Sequence, residues 1–336
     1  MTPSTPEWLA SLLKNPNWTD LCLNGPTHLT ADFGNGLLPW PPSETAAPWP
    51  PTAYQAWPPS AYQAWVLELL AATGRTWDAR HPFVDATWND RFRVHFAFPP
   101  AVTPFPHLSI RRLPRPEARS TSVWTNDPFF PALAQAVAQG QCVLISGPTG
   151  SGKTTLAQEL LEQVPATDRI LALEDTPELA PRHPHFVSLQ ARPPNADGFG
   201  EITLRSLLRQ SLRMRPDRII LGECRGGEVL ELLQALNTGH TGALATLHAR
   251  SPREALRRIE LLCLLFGGSL LPLPALRELL ALGLDWVVQV EKTPAGRRKI
   301  KEVARMAGRE GDTLLLRPVV SQKDELQHPG LARPSS

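Results

Sequence analysis

Nine consecutive residues, Gly147, Pro148, Thr149, Gly150, Ser151, Gly152, Lys153, Thr154 and Thr155, constrain this chain more than any other segment. They match G-x-x-x-x-G-K-[ST] and stand where that motif works, between an apolar strand at Cys142–Ser146 and a helix predicted over Lys153–Gln163. The glycines let backbone N–H groups turn inward around phosphates, and the helix N-terminus adds a favourable field for an anion. Lys153 is expected to reach the β- and γ-phosphates of ATP. Thr154 is expected to ligate Mg²⁺ through its hydroxyl, because that ion prefers hard oxygen ligands and keeps waters beside substrate phosphates.

Around this loop the pattern alternates between strand and helix. Apolar runs at Cys142–Ser146, Ile170–Leu173, Ile219–Leu221 and Ala243–Leu247 have the length of buried strands in a mostly parallel sheet. Helices are predicted at Thr203–Arg213, Glu228–Leu236, Pro252–Leu265 and Pro272–Leu282, followed by strands at Asp285–Glu291, Lys299–Arg305 and Thr313–Arg317. Such alternation implies an α/β layer fold with helices on both faces.

The first part of the chain differs in kind. Of the 36 prolines, 21 precede residue 141, as do nine of the ten tryptophans. With 336 residues, two domains are expected: an N-terminal domain over 1–115 with a Pro/Trp-rich insertion at 40–65, a proline-punctuated linker at 116–121, a second domain over 122–318 and a polar tail at 319–336. Inside the insertion, Trp49-Pro-Pro-Thr-Ala-Tyr-Gln-Ala is repeated as Trp57-Pro-Pro-Ser-Ala-Tyr-Gln-Ala. It reads as a duplication that lengthened a loop ahead of a helix at Ala61–Ala72, or as a proline-rich docking strip. A formal charge of +2 gives no wholesale attraction to nucleic acid or an anionic membrane. The four cysteines are far apart and form no C-x-x-C pair, which argues against a disulfide framework or a cysteine-built zinc site. Residues 1–20 lack a signal pattern, and no apolar stretch reaches the length of a spanning helix.

Two further strands end in acids: Arg169-Ile-Leu-Ala-Leu-Glu-Asp175 and Arg218-Ile-Ile-Leu-Gly-Glu223. Ligands of parallel α/β sheets sit beyond the carboxyl ends of the strands, so Glu174, Asp175 and Glu223 should face the phosphate loop, ordering water or holding Mg²⁺. Thr238-Gly-His-Thr-Gly-Ala-Leu-Ala-Thr-Leu-His248 places His248 at a fourth strand end, suited to sense the γ-phosphate. His240 is open to either a structural or a nucleotide-linked reading. The residues do not separate Glu223 from Glu174 as the main catalytic acid, with Glu223 preferred.

At this point the residues carry a resemblance. Arg213-Met-Arg-Pro-Asp-Arg-Ile-Ile-Leu-Gly-Glu-Cys-Arg-Gly226 and Asn237-Thr-Gly-His-Thr-Gly-Ala-Leu-Ala-Thr-Leu-His-Ala249 resemble the secretion-traffic ATPases of type II and type IV secretion, conjugation and type IV or Tad pili. The aspartate box, Walker B and histidine box would be Ile170–Asp175, Ile219–Glu223 and Thr238–His248. More weakly, Leu23-Asn-Gly-Pro26, Phe83-Val-Asp-Ala86, Arg91-Phe-Arg-Val-His95, Pro99-Pro100 and Leu108-Ser-Ile-Arg-Arg112 look like the N-terminal domain of the conjugative and Tad-pilus (CpaF-like) branch. The resemblance implies a RecA-like P-loop core with a smaller α+β N-terminal domain that closes over the nucleotide. By position, Arg91, Arg93, Arg111 and Arg112 become candidate phosphate arginines. It further implies a homo-hexameric ring motor in the cytoplasm, peripheral at the inner face of the membrane and working with inner-membrane proteins of a secretion or pilus machine. Two features depart from the family pattern: the 40–65 segment, and Asn89-Asp-Arg at a hairpin turn. The tetracysteine zinc module of the type II branch is missing, so no zinc is expected. A nucleic-acid translocase is the alternative, prompted by Arg205, Arg209, Arg213 and Arg215, and nucleic acid as a partner stays open.

Overall fold

A computed structural model describes residues 5–34, 36–40, 57–113, 123–194, 198–266, 271–294 and 296–319. The linker at 116–121, the first copy of the duplicated octapeptide and the tail from 320 lie outside the described residues. Contacts divide the chain into two units, Met1–Ala118 with Pro194–Gly200, and Arg119–Pro193 with Glu201–Ser336.

The first unit runs α1 (Glu7–Lys14), β1 (Asp20–Asn24), β2 (Leu29–Asp32), β3 (Leu37–Trp40), α2 (Pro59–Ala72), β4 (Phe83–Trp88), β5 (Phe92–Ala97) and β6 (His107–Arg112). Its sheet has the order β3-β2-β1-β6-β5-β4, with every pairing antiparallel. Asn89 and Asp90 turn between β4 and β5 with φ near 52°, a left-handed conformation that short polar side chains tolerate when glycine is missing. The second copy of the octapeptide is not loop. Its prolines 58 and 59 start α2, where a missing N–H costs nothing, and Trp57, Tyr62 and the following Trp65 are core residues. Tyr62 donates its hydroxyl hydrogen to the Pro106 carbonyl at 2.7 Å, and Trp65 Nε1 donates to Thr5 Oγ1 at 3.1 Å. Both aromatic rings are thereby buried with their polar tips satisfied.

The second unit contains α3 (Phe130–Ala138), β7 (Val143–Ser146), α4 (Lys153–Leu161), β8 (Ile170–Glu174), β9 (Phe186–Gln190), α5 (Leu204–Ser211), β10 (Arg218–Leu221), α6 (Glu228–Asn237) and β11 (Leu244–Leu247). It closes with α7 (Pro252–Phe266), α8 (Leu273–Gly283), β12 (Trp286–Lys292), β13 (Arg298–Glu310) and β14 (Thr313–Pro318). The sheet order is β14-β13-β12-β7-β11-β10-β8-β9. It is parallel from β9 to β12, and β13 and β14 extend it antiparallel. Strands β7, β8, β10 and β11 are buried on both faces, which is why they read as unbroken apolar runs. Separate apolar clusters cover the two faces, one built on α5 to α8 and the other on α3 and α4.

Strand β9 was not expected. It sits at the sheet edge with partly exposed residues, so it lacks the apolar run that marks its neighbours. Arg218 is buried at the start of β10, where its guanidinium pairs with Asp168 at 2.7–2.8 Å. It lies so close to Gly140 and Gly242 that a Cβ on either would collide with it.

Candidate nucleotide-binding site

The phosphate loop leaves β7 with the Gly147 amide bonded to the Leu247 carbonyl of β11 at 3.2 Å. A Cβ on Gly147 would stand 2.6 Å from both the Val290 carbonyl oxygen and Ser151 Oγ, so the backbone passes where no side chain fits. Gly150 and Gly152 hold φ of +73° and +96°, which aims the intervening peptides inward. Ser151 Oγ donates to the Pro148 carbonyl at 2.8 Å and braces the turn. Among the described residues, the amides of Gly150, Gly152, Lys153, Thr154 and Thr155 find no backbone acceptor. This row of unpaired donors at the start of α4 fits a polyphosphate.

Lys153 is the first residue of α4 and is 8% exposed. Its ammonium donates to the carbonyls of Gly147 (3.0 Å) and Pro148 (3.1 Å) and to His248 Nδ1 (3.1 Å). Burial pushes its pKa down to about 8. An ammonium has no lone pair, so His248 Nδ1 accepts and the imidazole hydrogen resides on Nε2. That nitrogen lies 2.7 Å from Glu223 Oε1. Burial, and then the Lys153 charge, hold the His248 pKa below its usual value, consistent with this neutral tautomer.

The acidic strand tips gather because β8, β10 and β11 run parallel in register, with Leu173 opposite Leu221 and Leu221 opposite Ala245. Glu174 is 3% exposed. Its Oε1 accepts from the amides of Glu178 (2.9 Å) and Leu179 (3.1 Å), while Oε2 is buried without a hydrogen bond. Burial outweighs those two amides and a weaker contribution from the Ser188 hydroxyl, which is too far or too poorly aligned to bond Oε2, and raises the pKa to about 7. Gly222 lies directly across, since a Cβ there would be 2.9 Å from Glu174 Cγ.

Glu223 Oε2 accepts from Arg225 through Nε at 2.8 Å and through Nη2, and Arg225 Nη1 donates to Asp175 Oδ2 at 3.2 Å. Buried Glu228 fixes this turn from below, with Oε1 2.6 Å from the amides of both Arg225 and Gly226. One polar chain thus runs Lys153, His248, Glu223, Arg225, Asp175. Ser146 Oγ lies 2.5 Å from Gln289 Oε1, and Gln289 Nε2 donates to the Ala249 carbonyl at 3.1 Å, tying the end of β7 and the residues after β11 to the middle of β12.

The hydroxyl-bearing Thr154 and Thr155 are half-buried at the loop rim. No group of three or more His, Cys, Asp or Glu side chains suited to a metal occurs among the described residues. The hydroxyl of Thr154 beside the loop amides is a donor that fits an ion sharing its ligands with phosphate and water, as magnesium does.

His240 does not join this cluster. It stands before the amino end of β11, with Nδ1 buried and lacking a hydrogen bond. The four N-terminal arginines belong to the first unit. Arg93 and Arg111 are cross-strand partners on β5 and β6; Arg93 lies 3.9 Å from Asp85, and Arg111 Nε donates to Asp20 at 2.7 Å. Arg91 lies over the Phe92 ring at 5.7 Å. Arg112 stacks 4.2 Å from the Trp18 ring centre and donates to the carbonyls of Trp18, Leu13 and Asn15, so it packs and ties α1 to the sheet. In the Arg205 to Arg215 cluster, Arg205 and Arg209 both converge on Glu231, at 2.9 and 2.6 Å, and Arg215 pairs with Asp217 at 3.5 Å. Three of these four arginines thus pair with two acids of the same unit.

Sequence reading missed Gly222, Gln289, Arg298 and the bridging role of Arg225. Arg298 Nε lies 3.5 Å from the Gly150 carbonyl, and its Cδ would be 2.7 Å from a Cβ on Gly152. Fully buried Trp124 closes the same glycine from another side. For Arg225 a signal existed, an arginine two residues after an acid at a strand tip. Gln289 and Arg298 are separated from the loop by well over a hundred residues and carry no local mark.

Residues 84–273, more than half of the chain, match the family model described as "Type II/IV secretion system protein". A putative conjugal transfer protein of Mycobacterium tuberculosis is 38% identical over 314 residues, spanning 90% of this chain and 85% of that one. The type IV secretion system protein VirB11 of Bartonella quintana is 37% identical over 183 residues, 54% of this chain and 51% of the relative. Among solved structures, the pilus retraction motor PilT with bound ADP aligns with a TM-score of 0.62 at 19% identity, covering 98% of this chain and 87% of that one. The Legionella pneumophila ATPase DotB aligns at 0.58 and 18% identity, over 88% and 79%. These two likenesses establish the fold, a RecA-like P-loop core with an N-terminal domain.

Proposed function

Since the chain belongs to the type II/IV secretion system protein family and is an ATPase of it, we propose that it hydrolyses ATP as a homo-hexameric ring motor driving a secretion, conjugation or pilus-assembly machine. The single observation that carries the site assignment is the unbroken chain from Lys153 through His248 to Glu223.

In this reading the loop amides and Lys153 hold the phosphates. Thr154 and Asp175 would hold Mg²⁺, which would supply positive charge to neutralise the phosphate oxygens. Phosphates draw the Lys153 ammonium away from His248; with that charge gone, Nδ1 takes up a proton from solvent and donates it in a hydrogen bond to the γ-phosphate, reporting its presence while Nε2–H stays on Glu223. Glu223 orders the attacking water from the other side of the same imidazole. Glu174, with a bare buried oxygen and a pKa of about 7, suits the role of proton acceptor. Arg93 and Arg111, cross-strand partners on β5 and β6, are the N-terminal arginines we assign to the transferred phosphate. No helix among the described residues is long and apolar enough to cross a membrane. A peripheral position on the inner face of the membrane, held by membrane proteins of the apparatus, accords with the conjugal transfer and type IV secretion names of the relatives.

The test is steady-state ATP hydrolysis by the full chain, Lys153→Ala and Glu223→Gln across protein concentration, with light scattering in ATP. Activity should rise with assembly to a ring-sized species, Lys153→Ala should lose ATP binding, and Glu223→Gln should bind ATP yet turn over slowly. Full activity in a monomer, or in Glu223→Gln, would refute the reading.

A further inference from the structure

Arg225 has no task in the mechanism above, yet it pairs with two acids of the site. Its guanidinium is engaged by acids. Nε and Nη2 converge on one oxygen of Glu223, and Nη1 bridges to Asp175 at 3.2 Å. These two acids lie just beyond the carboxyl ends of neighbouring strands, β10 and β8, so the bridge spans the gap between two strand tips. The other Glu223 oxygen is held by His248 at 2.7 Å. The carboxylate is therefore gripped at both oxygens, by an imidazole on one side and a guanidinium fork on the other.

Half-exposed ion pairs contribute little when two long side chains must be ordered to make them. Three features set this one apart. Arg225 is only two residues from Glu223, and its backbone amide is already fixed by buried Glu228 at 2.6 Å, so little ordering remains. The planar fork meets one carboxylate with two of its nitrogens while the third meets another, which a lysine point charge does not reproduce. Finally, one edge of the bridge is a carboxylate whose orientation decides where water is held. A displacement of about 1 Å in such a group costs on the order of a hundredfold in rate.

We propose that Arg225 is a positioning residue of hydrolysis: it clamps the Glu223 carboxylate against His248 by tying it to Asp175 across two strand ends. Arg225 acts through Glu223 and makes no contact with ATP.

The inference rests on the assignment of Glu223 above, and one set of measurements separates the two. Turnover and the affinity for a fluorescent ATP analogue are measured for the full chain, Glu223→Gln, Arg225→Ala and Arg225→Lys. Melting curves confirm folding, and Arg225→Lys serves as the charge-preserving variant. The clamp predicts that kcat of Arg225→Ala falls by about 10- to 100-fold while ATP affinity stays within about twofold. Arg225→Lys should recover only a small part of the loss. Unchanged kcat in Arg225→Ala overturns the clamp. An affinity loss that matches the kcat loss overturns it in favour of direct phosphate contact. Full recovery by lysine shows that charge alone suffices and overturns the fork geometry. A fully active Glu223→Gln sinks the underlying assignment instead, whatever Arg225 does.

Discussion

Glu174→Gln should change stability in a way that reverses with pH. Burial raises the Glu174 pKa from an ordinary 4.5 to about 7. The folded state therefore binds a proton more tightly than the unfolded chain, and stability is full below 4.5 and falls as pH rises towards 7. Two and a half pH units correspond to about 3 kcal/mol when the penalty is complete, and to about 2–3 kcal/mol between pH 5 and pH 8. Glutamine keeps the acceptor for the Glu178 and Leu179 amides but puts an NH2 where Oε2 has no partner. That buried donor costs about 1–3 kcal/mol at every pH. The cost cancels when the variant is compared with wild type at two pH values, so the difference isolates the charge. Urea unfolding of the nucleotide-free protein in EDTA, at pH 5 and pH 8, should show the variant gaining about 2–3 kcal/mol on wild type between the two. A constant difference between variant and wild type would mean that Glu174 is not charged at a cost in the fold, and the proton-acceptor role would lose its support.

Two further outcomes follow from the same geometry. Lys153 titrates near 8 because it is buried, whereas bound phosphate favours its ammonium form. ATP affinity should be flat below pH 8 and weaken by up to about tenfold per unit above it, with proton uptake in calorimetric titrations in two buffers; equal affinity at pH 7 and 9 refutes this. In Gly222→Ala the new Cβ would meet Glu174 Cγ at 2.9 Å and the Leu173 carbonyl at 3.3 Å. The strain should cost about 1–3 kcal/mol and lower kcat more than ATP affinity, and a variant with wild-type turnover would show that the tips of β8 and β10 tolerate displacement.

Much of the ATPase unit was written locally in the chain. The phosphate loop was legible because its glycines answer a conformational demand at Gly150 and Gly152 that no other residue meets cheaply. Strands β7, β8, β10 and β11 were legible because burial on both faces demands an unbroken apolar run, and the placing of Glu174, Glu223 and His248 at strand ends followed from that alone. Edge strand β9 was hidden, since an edge needs neither continuous apolarity nor a turn signal. In the second copy of the octapeptide the prolines read as the end of a lengthened loop ahead of a helix at Ala61, while the fold uses them to start α2 at Pro59 and uses Trp57 and Tyr62 to fill a core. Arg112 carried the same charge on paper as Arg93 and Arg111, yet only the folded unit stacks it on Trp18 and spends its donors on α1. Sequence decided which groups stand at which strand ends, because secondary structure is set by local periodicity. Tertiary structure alone decided their partners, Lys153 with His248 and Arg225 with Asp175, because hydrogen bonds between residues 50 to 95 positions apart depend on strand order and register, which no local pattern encodes.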